Sequence, residues 1–225
     1  MGGLKSVSSK GESAYSELRR RIISGELDPG SRLSQYELAD EMGMSITPLR
    51  EAVRRLASEE WLEMDTHRDV RVAPVNAAEA RELLEVRLSL EPLAAELAAE
   101  RRTDGEIADM KAAADKLLPV TRTWGEEAIT AHRGFHRAIY VASHNKVLIR
   151  FLDDLWDKSD RYRRIGLKLP AGDEPRTLDL SQHYEILELV ISGESARAGE
   201  LVHAHIHNSL GAAVPSSLEQ EERND

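Results

Sequence analysis

Cysteine is absent from the 225-residue chain. That excludes disulfides, thiolate metal sites and cysteine nucleophiles together, so any bound metal is held by His, Asp or Glu. Long apolar runs are missing as well. No stretch approaches the roughly 20 residues that span a bilayer, and the opening MGGLKSVSSK lacks the apolar core of a signal peptide. The expectation is a soluble, cytoplasmic protein with no membrane partner. A basic excess is the third absence. With 30 lysines and arginines against 40 acids the net charge is -10, which argues against indiscriminate binding to nucleic acid, because phosphate contact is driven by cationic side chains displacing counterions. Any DNA contact must come from a local patch. What the chain does have is 41% hydrophobic residues, enough to bury a real core in one large or two modest domains.

The apolar spacing predicts helices almost throughout. Residues 1–12 and 214–225 are small and polar and read as a disordered arm and tail. Tyr15, Leu18 and Ile22 share a face of a first helix over residues 13–24, stopped by Gly25, and Asp28-Pro29-Gly30 is a turn. Ser34 with Glu37 reads as a capping box opening a short helix through Met42, and Ser45 as the cap of the next, which turns Leu49, Val53 and Leu56 inward. Val70, Val72 and Val75 suggest a small hairpin. Capping boxes recur at Asn76/Glu79 and Thr103/Glu106. Further helices are expected at 76–101, 104–118, 122–143, 145–165, 177–192 and 195–212, with Gly166 to Arg176 as the longest break. The fold class is thus mostly α: a winged helix-turn-helix over 13–75, then an all-helical bundle of about six helices over 76–213.

In a winged helix-turn-helix the third helix offers its first turn to base edges in the major groove and the wing touches the adjacent backbone. Ser45, Thr47 and Arg50 would then face DNA. Arg54 and Arg55, further along, suit phosphate better than bases. His67 and Arg68 stand at the wing tip. Residues 1–75 hold 11 lysines and arginines against 13 acids, so such a domain relies on where its arginines stand. Taken alone, these arginines could be a solvated helix face.

The run GELDPGSRL (25–33), then ELA (37–39) and MSITPLREAV (44–53), resembles the DNA-binding domain of the GntR family of bacterial transcription regulators, including its Ser-x-Thr-Pro-x-Arg-Glu-Ala signature. The resemblance spans about sixty residues. It implies a DNA-facing role for the residues named above and for Tyr36. The chain departs from the family pattern at Ile46 and at Tyr36, where Arg is frequent, and at Glu60 and Asp69, where Gly is common. Without an Arg at 46, operator sequence cannot be carried over from relatives.

His132 and His136 are four apart, which puts both rings on one side of a helix. By itself the pair could grip a metal or face solvent. His183 and His205 lie in later helices, and a bundle core can gather such positions. In His203-Ala204-His205-Ile206-His207 the outer two are again four apart, and His205 points away from both, so only one set can face a core. His144 reads as part of a connecting turn.

Phe135-His136, Asn145, His183, Gly193-Glu194, Ala198 and His205 resemble the FCD effector-binding domain of the FadR-like branch of the GntR family, over roughly residues 79–210. That resemblance implies a metal held by His132, His136, His183 and His205, with His203 and His207 at the surface. His132 stands where the family usually has Asp. An all-nitrogen set suits a divalent transition metal such as Zn or Ni, and neutral imidazoles leave the ion's charge uncancelled, which favours an anionic ligand.

Arg87 lies in a stretch resembling the family's Arg-Leu-x-Leu-Glu run, which implies contact with an effector carboxylate. The plainer alternative is a surface pair with Glu91 one turn on.

The resulting expectation is a homodimeric DNA-binding regulator, a repressor in the commoner outcome, that recognises a near-palindromic double-stranded operator. Its affinity would answer to a small organic acid at the metal-containing bundle. Paired half-sites are expected because one recognition helix reads too few base pairs. The alternatives are a metal-responsive sensor and a metal-dependent hydrolase. No carboxylate in the histidine-rich motifs stands in an obvious general-base position, so the expectation is that the chain is not an enzyme.

Overall fold

The computed structural model describes residues 10–65, 69–117, 125–168 and 173–223. The chain separates into two compact units, residues 1–75 and 76–225.

In the first unit α1 spans Lys10–Ser24 and buries Ala14, Leu18 and Ile22, one residue per turn. Gly25 ends it with φ 76°, a conformation that suits a residue without Cβ. Helix α2 (Gln35–Glu41) starts where the Ser34 hydroxyl accepts from the Glu37 amide. Helix α3 (Ile46–Ser58) lays Leu49, Ala52, Val53 and Leu56 on α1 and α2. Ser45 stands at its N-cap position but makes no side-chain cap bond, contrary to the capping role its position predicts. Glu60 holds φ 63°. That left-handed geometry strains any residue with a Cβ, which accounts physically for the family's glycine there.

Strands β1 (Leu62–Met64) and β2 (Val70–Val72) form the wing, with Leu62 opposite Val72 and Met64 opposite Val70. Val75 lies beyond the hairpin. The segment before α2 adds an edge to β2: the Leu33 amide donates to the Val70 carbonyl at 2.7 Å and the Val72 amide to the Ser31 carbonyl at 2.9 Å.

In the second unit α4 (Ala77–Arg101) packs against α6 (Gly125–Ala142), α7 (Lys146–Lys168), α8 (Asp173–Ser192) and α9 (Ser195–His207). Pro92 sits inside α4 without ending it. Helix α5 (Asp104–Ala114) begins with a full reciprocal capping box between Thr103 and Glu106. At Ser34 and Asn76 the cap side chain accepts from the Glu37 and Glu79 amides, and the Glu79 carboxylate accepts from the Tyr162 hydroxyl. The break expected over 166–176 is shorter than the sequence suggests. Helix α7 continues through Lys168, and α8 starts at Asp173 with Pro175 in its first turn, where a missing amide removes no helical bond.

The tail is a correction. Residues expected to be disordered from 214 instead follow a short 3-10 turn (Leu210–Ala213) as helix α10 (Val214–Glu222). Its polar composition concealed two apolar side chains one turn apart, Val214 and Leu218, which are buried in a helix that packs on α4 and α7. Pro215 stands at the start, where its fixed φ suits a first helical turn.

Small side chains set the spacing at the centre. Ala94, Ala95, Ala98 and Ala99 of α4 are fully buried, and α9 faces that helix through Ala198 and Gly199. A Cβ at Gly199 would lie 2.7 Å from Glu96 Cγ and 2.9 Å from its Cδ. Gly199→Ala therefore displaces the Glu96 side chain, a flexible half-buried group that can swing aside, and with about 1 kcal/mol gained in helix propensity it is expected to change stability by no more than about 1 kcal/mol, read as the urea midpoint at constant slope.

Candidate metal centre and DNA-facing surface

The buried stripe of α6 runs Ala128, Ile129, His132, Phe135, His136, Ile139. Both histidines occupy positions at which the helix periodicity demands core residues. His183 lies on the buried face of α8 with Ile186, Leu187 and Val190, and His205 on that of α9 with Val202 and Ile206. All four rings are buried, and each offers one nitrogen within 4.8 Å of those of the other three. The same periodicity turns His203 and His207 outward, where both are exposed. His144 is exposed at the turn after α6 with φ 54° and pairs with Glu106 at 2.8 Å.

The outer nitrogens have fixed partners. His183 Nδ1 donates to the Asp179 carbonyl one turn earlier at 2.6 Å. The Tyr140 hydroxyl donates to Glu91 Oε2 at 2.5 Å. Its proton is thereby committed, and the 3.3 Å contact between that hydroxyl and His136 Nδ1 has the imidazole as donor. His205 Nδ1 donates to Gln182 Oε1 at 3.2 Å. In all three rings Nε2 is consequently the lone-pair nitrogen. His136 Nε2 and His183 Nε2 then face each other at 3.0 Å, two lone pairs at a distance that suits them only with a proton or cation at hand. His132 Nδ1 is buried with no hydrogen-bond partner. A donor set of neutral nitrogens, oriented from behind and unsatisfied in front, fits a divalent transition metal.

Burial first, and then neighbouring positive charge, keeps these rings neutral. His132, His136 and His205 are held well below the ordinary histidine range, with the Arg163 guanidinium contributing at each. Burial likewise takes His183 down to about 4 against a backbone hydrogen bond that opposes it. Asp179, whose carboxylate lies 3.7 Å from His205 Nε2 and 3.7 Å from His183 Nδ1, is pushed up to about 6 by burial.

Arg87 does not form the surface pair that was its plainer alternative. It is buried, donates through Nε to a fully buried Glu91 at 2.6 Å, and lies 5.0 Å from the Trp156 ring. Arg163 lies 5.2 Å from the same ring and pairs with Asp160 at 3.2 Å. A cavity of about 20 Å³ separates Arg87 from Arg163, room for a water and no more. Sequence reasoning missed Arg163, which gives no spacing signal within an arginine-rich run. It also missed Asp179, Gln182 and Tyr140. Asp179 and Tyr140 were within reach, since each stands four residues from a candidate histidine.

On the first unit Ser45, Thr47 and Arg54 are exposed at α3, Arg50 is half-buried, and Tyr36 on α2 is exposed. Arg50 reaches the Tyr36 hydroxyl at 3.4 Å, and both line an open cleft of about 690 Å³ with Arg54 and the wing residues Met64 and Asp69. Arg55 is exposed beside Arg54 and engaged within the unit. It pairs with Glu12 and Glu59 and lies 3.6 Å from the Tyr15 ring, tying α3 to α1. His67 and Arg68 lie outside the described residues.

The family described as bacterial regulatory proteins, gntR family, matches residues 10–72, and the FCD domain matches residues 82–208. The HTH-type transcriptional regulator McbR of Escherichia coli (strain K12) is 33% identical over 186 residues, covering 82% of this chain and 81% of that protein. The HTH-type transcriptional repressor GlaR of the same organism is 27% identical, covering 85% and 90%. Among solved structures, E. coli McbR superposes with a TM-score of 0.77 at 24% identity, covering 95% of this chain and 99% of that one. No helix among the described residues is long and apolar enough to cross a membrane.

Because the four rings are neutral in the fold and ordinary in the unfolded chain, the unfolded chain binds more protons between about pH 6.5 and 4. The metal-free protein therefore loses stability as pH falls through that window. His183 alone accounts for about 2 kcal/mol at pH 5, and Asp179, which titrates in the opposite sense, offsets about 1 kcal/mol. The expected outcome is a lower melting temperature for chelator-treated protein at pH 5 than at pH 7.5. An unchanged or higher value would contradict this account of the cluster.

Proposed function

The chain belongs to the GntR family of bacterial regulatory proteins and carries an FCD domain behind its DNA-binding module, and on that premise we propose that it is a cytoplasmic homodimer whose operator affinity is set by a small carboxylate effector at a metal-holding bundle. It is a transcription regulator and not an enzyme, as are its relatives. Repression is the proposed outcome, as in the relative named a repressor.

In this reading His132, His136, His183 and His205 hold a divalent transition metal, zinc or nickel. The observation that carries it is the pair of lone-pair nitrogens, His136 Nε2 and His183 Nε2, facing each other at 3.0 Å in a buried core. The metal would supply a Lewis-acidic anchor for an effector oxygen. The chain's own residues do the rest. Glu91 and Tyr140 orient His136, the Asp179 carbonyl and Gln182 orient His183 and His205, and Arg87 offers a guanidinium from α4 to the other carboxylate oxygen. Arg163 offers a second cation from α7.

A cavity of about 20 Å³ between those arginines is too small for an acid of several atoms, so α4 and α7 must part to admit one. An acid that requires the parted arrangement binds the two arrangements unequally, which is the condition for shifting an equilibrium between them. Helix α4, which carries Arg87, begins two residues after the DNA-binding unit ends. On DNA, Ser45, Thr47 and Arg50 address base edges and Arg54 and Tyr36 the backbone, with His67 and Arg68 as further proposed DNA contacts.

Zinc-loaded protein is expected to release a selected operator on adding one of a panel of small organic acids, and chelated protein is expected not to respond. His136→Ala should lower metal content to background. His132→Ala should weaken both metal retention and acid response, and unchanged values for both would overturn the four-histidine reading. Release by metal addition alone would instead favour the metal-responsive sensor.

Arg50→Ala should weaken specific operator binding by about 1–3 kcal/mol while leaving binding to random duplex nearly unchanged, as measured by fluorescence anisotropy at fixed salt. Equal loss on both DNAs would move Arg50 from base contact to phosphate contact.

A further inference from the structure

We propose that Asp179 is a fifth ligand of the metal centre, the carboxylate that this chain supplies from α8 because position 132 is a histidine. The inference rests on the four-histidine reading above. His132 leaves a donor set without negative charge, and a divalent ion held by neutral nitrogens alone in a dry core keeps its full charge uncancelled.

Asp179 is the carboxylate placed to cancel part of it. It lies one helical turn before His183, so α8 puts both side chains on one face. Its Oδ1 is 3.7 Å from His205 Nε2, the nitrogen left with its lone pair forward because Nδ1 is engaged by Gln182. Donor-to-metal bonds of about 2.0–2.2 Å set neighbouring donors of one ion roughly 3 Å apart; the carboxylate stands outside the four nitrogens gathered within 4.8 Å, with Oδ2 3.7 Å from His183 Nδ1, so it must turn toward the ion on loading. A carboxylate oxygen aimed at an imidazole lone pair is unfavourable with nothing between them and favourable with a shared cation. The Asp179 carbonyl already holds His183 Nδ1 at 2.6 Å, so one residue would fix the ring from behind through its backbone and complete the centre through its side chain. With a carboxylate in place the centre carries one positive charge less, so less charge is left to attract an anionic effector.

Cobalt(II) is the probe, loaded into chelated full-length protein in buffer free of organic acids. Wild type should give the weak visible bands of a five-coordinate ion and Asp179→Asn the intense bands of a four-coordinate one. Zinc retention against a competing chelator should fall about 10–100-fold in the same variant, while Glu188→Gln, an exposed carboxylate on the same helix, changes neither. Identical spectra and identical retention in wild type and Asp179→Asn overturn the proposal and leave the four-histidine site standing. Wild type that takes up no cobalt overturns that site and this proposal together. A crystal structure of zinc-loaded wild type needs no variant, so it decides the case even where Asp179→Asn fails to fold: an Asp179 carboxylate oxygen at about 2.0–2.2 Å from the zinc is expected, and a carboxylate that stays outside bonding distance overturns the proposal.

Discussion

The arrangement of the helical unit depends on a repulsion. Two imidazole nitrogens with their lone pairs forward face each other at 3.0 Å between α6 and α8, in a core buried from bulk solvent. Electrostatics is strong in such a medium, for good or ill. Without a cation the arrangement is unfavourable and each unsatisfied nitrogen adds a desolvation penalty of about 1–3 kcal/mol; with one, the same atoms become a binding site. His136, His183 and His205 are each held from behind by a hydrogen bond, which fixes the direction in which their free nitrogens point.

That orientation comes from a chain of donors running back into the protein. Arg87 and the Tyr140 hydroxyl both donate to Glu91, and His136 donates to Tyr140, which links α4 to α6 through groups that are almost wholly buried. A buried ion pair is weak grounds for stability, because desolvating two charges offsets much of their attraction. Here its position behind a histidine gives it another use. The glutamate holds the hydroxyl proton away from the imidazole and so settles which ring nitrogen is free. An effector that drew Arg87 toward its own carboxylate would disturb the same chain from its far end.

The first unit solves a different problem, reading an anionic duplex with an acidic sequence. It does so by committing its cations individually. Arg55 is spent within the unit, clamped by two glutamates against Tyr15, and so braces α3 on α1. Arg32 and Arg71 both pair with Asp69 at the wing. Arg50 and Arg54 remain on the cleft wall, with Tyr36 extending the surface from α2. Local placement takes over from overall charge, as a chain with ten excess acids requires.

By itself the sequence determined much of what is written within about one helical turn: helix starts and stops, the wing, and the i, i+4 pairing of His132 with His136, though not the cap bond expected of Ser45. These follow from backbone hydrogen bonding and side-chain period, which act between near neighbours. Only the tertiary structure decided what needs partners from afar. It joined His136 to His183 across 47 residues, turned His205 inward with His203 and His207 outward, buried the Arg87–Glu91 pair, brought Asp179 beside His205, paired Arg55 with Glu12 and Glu59, and gave a polar tail a helix by burying Val214 and Leu218. The reason is that burial and electrostatic environment belong to the assembled helices, and neither exists for a side chain until its neighbours on other segments have arrived.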